Sequence, residues 1–334
     1  MFEELTEGVR SISVIGMCKN AGKTTVFNVL VRELGQSGRA LGLTSIGRDG
    51  ESEDIVTHTH KPGIYVYEGT LVATAENLLK RCDITREILH VTPYNTPMGA
   101  VVLMRAKSDG KVQLAGPSIT AQMRALKEEF YRFGADIVLI DGAVSRKTLS
   151  APAVSEAAIL CTGASYSANM DTTIEDTAHV ARLLTLPVQT AWTDEEMDMP
   201  FKKAALKRGD GSVYLLGENE AFSDVYKREN ARHVYVKGAV TDALMKPVLE
   251  AGLDLSGASL SVEDGTKLLL SRALLERFFA RGARLSVRLG MRLLAVTVNP
   301  VSAYGGHYPA REFLARMKER VSSPVFDVGE GGEA

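Results

Sequence analysis

Apolar residues recur along this chain in two periods, one for strands and one for helices. From Ser11 to Ile15 a short β-branched run ends at glycine. Thr24 to Leu34 then places Phe27, Leu30, Val31 and Leu34 at helical spacing, which predicts strand, loop and helix in succession. A second run, Ala40 to Ile46, ends at Gly47 and leads into the polar stretch Arg48 to Asp54, the composition of a loop at a strand's carboxyl end. Short runs follow at Ile64 to Tyr67, Leu71 to Thr74, Glu87 to Val91, Ala100 to Arg105 and Val112 to Leu114. Gly, Pro and Asp separate them, which predicts an inserted set of mostly antiparallel strands. Ile119 to Phe133 reads as a helix. Ile137 to Ile140 is continuously apolar, the pattern of a central parallel strand covered on both faces, and it terminates in Asp141-Gly142. Ala157 to Leu160 reads as the next strand, with Met170 to Leu184 helical after it.

The acidic segment Trp192 to Pro200 ends in proline and reads as a boundary. Beyond it, strand signals at Val213 to Leu216, Val234 to Val236, Leu260 to Val262 and Leu293 to Val298 alternate with helix signals. The helices are expected at Asp242 to Glu250, Lys267 to Ala280 and Ala310 to Val321. The expected organisation is a first domain over 1–192, a linker over 193–200, a smaller α/β domain over 201–328 and a disordered tail over 329–334. The helix from Lys267 is apolar around much of its circumference, which predicts burial within its domain or against another chain and leaves homo-oligomerisation open.

Composition narrows the class. With 334 residues, 45% apolar and 24% charged, the chain is an ordinary globular protein with a sizeable core. A net charge of −2 from 39 basic and 41 acidic residues argues against a surface that coats polyanions. Three widely spaced cysteines, Cys18, Cys82 and Cys161, form no zinc or disulfide pattern and suit a reducing compartment. The acidic start and the lack of a long apolar run predict a cytoplasmic protein, neither exported nor inserted in a membrane. Arginines crowd the segment Lys267 to Arg320, which predicts a basic face on the second domain. Without an aromatic-interleaved groove, that face suits solvent or an acidic protein partner better than nucleic acid.

The informative stretch is Gly16-Met17-Cys18-Lys19-Asn20-Ala21-Gly22-Lys23-Thr24-Thr25, between a strand and a helix, where a phosphate-binding loop must lie. Backbone N–H groups of the loop and helix start can point at one phosphate. The Lys23 ammonium can bridge the β and γ groups, and the Thr24 hydroxyl can ligate Mg²⁺. Five residues separate Gly16 from Gly22 rather than four, so Met17 stands where the consensus has glycine. A metal carboxylate is available at two strand ends, Asp141 and Asp49, with Glu51 beside the second. Both aspartates also suit ordinary Asp-Gly turns, and sequence does not divide the roles of metal ligand and water orienter between them. The fold expected is α/β, a P-loop NTPase-like parallel sheet with an inserted antiparallel section and a second, smaller α/β domain, binding ATP and Mg²⁺.

The Lys19-to-Thr25 loop resembles the SIMIBI class of P-loop NTPases, particularly the molybdopterin-guanine dinucleotide biosynthesis adaptors and, more loosely, dethiobiotin synthetase. Over more of the chain, five strings are similar to the reactivase subunits associated with lysine 5,6-aminomutase, an adenosylcobalamin enzyme. They are Gly16 to Thr25, Leu43 to Glu51, Gln113-Leu-Ala-Gly-Pro-Ser118, Ile140-Asp-Gly-Ala143 and Val298-Asn-Pro300. That resemblance implies ATP-dependent release of damaged cobalamin from the mutase, alongside a MutS-like companion subunit. An ATP-dependent ligase or kinase of the dethiobiotin synthetase type and a non-hydrolysing nucleotide-binding adaptor are the competing expectations.

Three other features carry less. His58 and His60 lie two apart in a polar loop with no third ligand nearby, so they read as an exposed pair rather than a metal site. No D-x-H-x-x-G signature for a bound corrinoid occurs. Cys18 suits either a small loop-filling role or a reactive thiol at a helix start.

Overall fold

The computed structural model describes residues 2–47, 63–142, 152–252 and 255–327. The chain divides into two compact units, a larger one of residues 1–181 and 292–334 and a smaller one of residues 182–291.

The larger unit begins with α1 (Phe2–Leu5), β1 (Ser11–Gly16), α2 (Lys23–Gln36) and β2 (Leu41–Ser45). The inserted strands are β3 (Ile64–Val66), β4 (Leu71–Ala75), β5 (Arg86–Thr96), β6 (Gly99–Ala106) and β7 (Gly110–Val112). They are followed by α3 (Thr120–Arg132), β8 (Ile137–Asp141), β9 (Ala157–Gly163) and α4 (Met170–Leu184). The smaller unit holds α5 (Asp194–Asp198), β10 (Ala204–Lys207), β11 (Val213–Leu215), α6 (Phe222–Glu229), β12 (His233–Val236), β13 (Val240–Thr241) and α7 (Asp242–Glu250). It continues through β14 (Ser259–Val262), β15 (Leu268–Leu269), α8 (Arg272–Ala280) and β16 (Arg284–Val287). The chain then re-enters the larger unit with β17 (Arg292–Asn299), α9 (Ala310–Arg320) and β18 (Val325–Asp327).

The main sheet has nine strands in the order β18-β17-β9-β1-β8-β2-β4-β6-β5. Every pairing from β18 to β4 is parallel, whereas β4-β6 and β6-β5 are antiparallel. The inserted strands are therefore mainly an antiparallel extension of the sheet, with β3 and β7 forming a separate antiparallel pair. Helices cover both faces. Phe27, Leu30 and Leu34 of α2 share a core with Ile12, Val14, Ile137 and Leu139. Met123, Leu126 and Phe130 of α3 share another with Val138 and Ile140. Alternate residues of one strand thus feed opposite cores, which is why Ile137 to Ile140 of β8 are all apolar.

The expected division of the chain needs correction. Residues 292–327 do not belong to a second domain but supply two parallel strands of the main sheet, because β17 is apolar enough to be buried on both faces and pairs with β9. The segment 193–200 is not a bare linker. Thr193 and Glu196 form a reciprocal capping box that starts α5, and Met197 is buried with Trp192, Phe201 and Tyr235. The expected helix from Lys267 begins at Arg272, since Leu268 and Leu269 pair with Val240 and Thr241 as a short parallel ladder. Leu274, Leu275 and Phe278 of α8 are buried in the smaller unit's own core. Arg292, Arg311, Arg316 and Arg320 lie in the larger unit, so the expected basic face is split. Arg316 and Arg320 are paired with Asp171 and Glu175 of α4. The expected tail falls outside the described residues.

Among the described residues no helix is long and apolar enough to cross a membrane.

Candidate functional site

The loop between β1 and α2 is built around Lys23, the first residue of α2. Its side chain folds back across the end of β1. A Cβ placed on Gly16 would sit 3.0 Å from Lys23 Cδ and 3.1 Å from its Nζ, so a side chain there would press on the lysine. The ammonium donates to the carbonyl of Cys18 at 3.5 Å. Gly22, the residue before the helix, has φ of 90°, a left-handed conformation in which a side chain is strained. Asn20 is left-handed too, at φ 60°, and is one of two non-glycine residues with positive φ among those described. Ala21 is wholly buried between these two turns, anchoring the loop to the core shared with α2. Lys19 and Thr25 are exposed, while Met17, Cys18, Lys23 and Thr24 are half-buried.

Strand register brings the acid to this loop. Asp141 ends β8, pairs with Val14 of β1 on one side and with Ser45 of β2 on the other, and so stands at the carboxyl edge beside the loop. Ile137 and Leu139 lie in the core shared with α2, so the two-residue alternation turns Asp141 to the same face as Lys23 and Thr24. Burial pushes the Cys161 thiol up to about 11; Lys23 opposes that shift and Asp141 adds to it, which puts both charges within range of the end of β9. Asp49, Glu51, His58 and His60 lie outside the described residues. The Cys18 thiol is pushed up by burial, against the pull of Lys23, which favours the loop-filling role over a low-pKa nucleophile.

Two further segments reach this edge of the sheet. Asn299, at the end of β17, donates from Nδ2 to the carbonyl of Asn20 at 3.4 Å, tying a residue from the far end of the sequence to the loop. Its own carbonyl accepts from Ala164 at 2.9 Å, just beyond β9. Gly116 packs against the end of β2, where an added Cβ would lie 2.1 Å from the carbonyl oxygen of Ser45. Thr74 fixes that segment by donating to the Gln113 carbonyl at 2.7 Å and accepting from the Ala115 N–H at 3.1 Å. Sequence reading did not single out Asn299 or Gly116 as site residues. Their only signal was membership of the strings similar to aminomutase reactivases, since nothing local reveals which strand ends become neighbours.

Beyond β9, Tyr166 donates to Asp176 of α4 at 2.9 Å. Burial first, then that carboxylate, pushes the phenol up to about 12, and the nearby Cys18 adds to the shift. Tyr166 is therefore a committed donor at neutral pH, holding the loop after β9 in place next to the lysine loop.

The chemistry available is anion binding. Backbone N–H groups at the start of α2 carry the positive end of a helix dipole, and Lys23 supplies a full charge beside them. Thr24 and Asp141 add hard oxygen donors on the same face. Comparison with protein families and with curated proteins finds no match to this chain.

Proposed function

We propose that this chain is a P-loop nucleoside triphosphatase that binds Mg·ATP on the Gly16–Thr25 loop. The observation that carries the reading is the loop's conformation. A left-handed residue directly before α2 leads into Lys23, whose side chain lies back over Gly16, on the same face as an acid ending the neighbouring parallel strand. A lysine fixed in this way presents its charge where the first N–H groups of the helix point, the requirement for holding a polyphosphate. Thr24 and Asp141 would hold Mg²⁺, which when bound neutralises charge on the phosphate oxygens. Lys23 and the loop N–H groups bind and orient the terminal phosphates. Asp141 acts through the metal shell or orients the attacking water, leaving phosphate cradling to the loop.

The reactivase reading belongs to this proposal. Its support is that parts of all five strings similar to aminomutase reactivases gather at one edge of the sheet. Gly116 packs on Ser45, Asn299 binds Asn20, and Asp141 lies between β1 and β2. Strings far apart in sequence that meet in space fit one site in common. In this reading turnover drives release of damaged cobalamin from an aminomutase, with a MutS-like companion subunit.

Lys23→Ala tests the nucleotide reading. It should abolish the Mg·ATP-dependent rise in melting temperature and leave the melting temperature of the free protein unchanged, because the half-buried lysine contributes little to the core. A variant still stabilised by Mg·ATP as well as the parent would end the proposal. Phosphate release measured with inactivated mutase and companion tests the second part: turnover and mutase activity should rise together, and no change in either would leave an ATPase with another role.

A further inference from the structure

The loop after β17 is tied down by hydrogen bonds yet presents apolar side chains to solvent. Val301 donates to Asn299 Oδ1 at 3.1 Å, Ser302 to the Gly306 carbonyl at 3.1 Å, and Ala303 to Ser165 Oγ at 3.0 Å. Tyr308 closes the loop. Its N–H donates to the Pro300 carbonyl at 2.8 Å, and its hydroxyl bonds the Ser167 carbonyl and lies 2.8 Å from that of Thr173. Between these anchors Tyr304 is 55% exposed and Val301 59%. The other strongly exposed aromatic among the described residues, Tyr65, packs edge-on against Tyr67 at 5.4 Å, whereas Tyr304 has no ring neighbour among them. An amphipathic ring kept in water on an ordered loop is poised to stack on something planar.

Its position says what. β17 is two strands from β1 in the sheet, about 10 Å at ordinary strand spacing, and both end at the same edge. Asn299 links the start of this loop to Asn20 of the lysine loop, and Ala303 rests on Ser165, next to Tyr166. The chain of contacts therefore runs from the lysine loop across the end of β9 to Ala303, the residue before Tyr304. A nucleotide with its terminal phosphates at Lys23 needs a surface for its base about that far away along the carboxyl edge.

We propose that Tyr304 is the nucleobase-stacking residue of this site, with the Asn299–Tyr308 loop as its ledge. The inference rests on the nucleotide reading above and deepens it. Since every base has a π face, stacking adds affinity without choosing adenine over guanine.

The test compares ligands with and without a base. Dissociation constants for Mg·ATP, Mg·GTP and Mg·tripolyphosphate are measured on the full chain by calorimetry, with melting temperature as the folding control. Tyr304→Ala should weaken ATP and GTP about tenfold and leave tripolyphosphate unchanged, while Tyr304→Phe and Tyr304→Trp should keep nucleotide affinity. An alanine variant with parent affinity for ATP overturns the proposal, as does equal weakening of all three ligands. A variant that loses only stimulation by a protein partner also overturns it and makes the ledge a protein contact. If the parent binds none of the three, the nucleotide reading itself has failed, a result distinct from any of these.

Discussion

The parallel portions of two sheets in this protein end differently at their carboxyl edges. In the larger unit the carboxyl ends of β1, β8, β9 and β17 share one edge of the sheet, where Lys23 starts α2 and Asp141 stands on the same face. In the smaller unit β12, β14 and β16 also run parallel, but their ends are stoppered by side chains of the unit itself. Arg288, just after β16, is bound to Asp198 at 2.7 Å and Asp194 at 3.0 Å, both on α5, and lies 3.9 Å from Glu263 after β14. Tyr235 donates to Glu263 at 2.6 Å, and Lys237 donates to the Met199 carbonyl at 2.7 Å. Strand ends of an open α/β sheet are the usual place for a ligand. Which sheet can use that place depends on whether its cations are already matched by carboxylates of the fold. Lys23 donates to the backbone carbonyl of Cys18, whereas Arg288 is ion-paired with Asp194, Asp198 and Glu263.

The largest effect that would sharpen this contrast is expected at Asp141. If the proposed nucleotide site holds, Asp141→Asn should cut phosphate release by about two orders of magnitude or more while nucleotide affinity falls only modestly, since the amide keeps the shape and loses the charge proposed to serve the metal. Single-turnover phosphate release against equilibrium binding separates the two. Parent-rate hydrolysis would shift the role to Asp49.

Gly116→Ala comes next, through stability. The new methyl must displace the carbonyl of Ser45, a backbone atom at the end of β2, and overpacking of that kind costs about 1–3 kcal/mol. Denaturant unfolding reads the loss, and an unchanged midpoint would show that the Gln113–Ser118 segment does not press on β2.

Thiol labelling supplies a smaller, local test. Cys161 is fully buried and its thiol stays protonated at neutral pH, so it should resist alkylation in the native protein. Half-buried Cys18 should react slowly, and Mg·ATP should slow it further by covering the loop. Equal rates with and without nucleotide would separate Cys18 from the binding surface.

The smallest effect is expected in the other unit. Arg288→Ala should lower the melting temperature slightly, because its acidic partners on α5 are largely exposed, and should leave nucleotide affinity untouched. A loss of nucleotide affinity would erase the distinction between the two strand edges.

The sequence by itself determined the elements whose signal is local. The periodicity of Phe27, Leu30 and Leu34, the apolar run ending at Asp141, and the glycine-bounded loop before Lys23 each fix their structure through contacts within a few residues and through burial on both faces of one strand. The lysine loop and its neighbouring acid were legible for that reason. α5 was hidden because five residues carry too little periodicity, and its capping box sits within an acidic, proline-ended stretch that resembles a boundary. Only the tertiary structure decided that β17 returns to the main sheet, that Asn299 meets Asn20, that Gly116 lies on Ser45, and that Tyr304 stands at the same edge as Lys23. The physical reason is that parallel strands pair through backbone hydrogen bonds common to all residues. An apolar strand such as Leu293 to Val298 therefore suits either sheet, and the choice of partner is made by the packing of the whole unit.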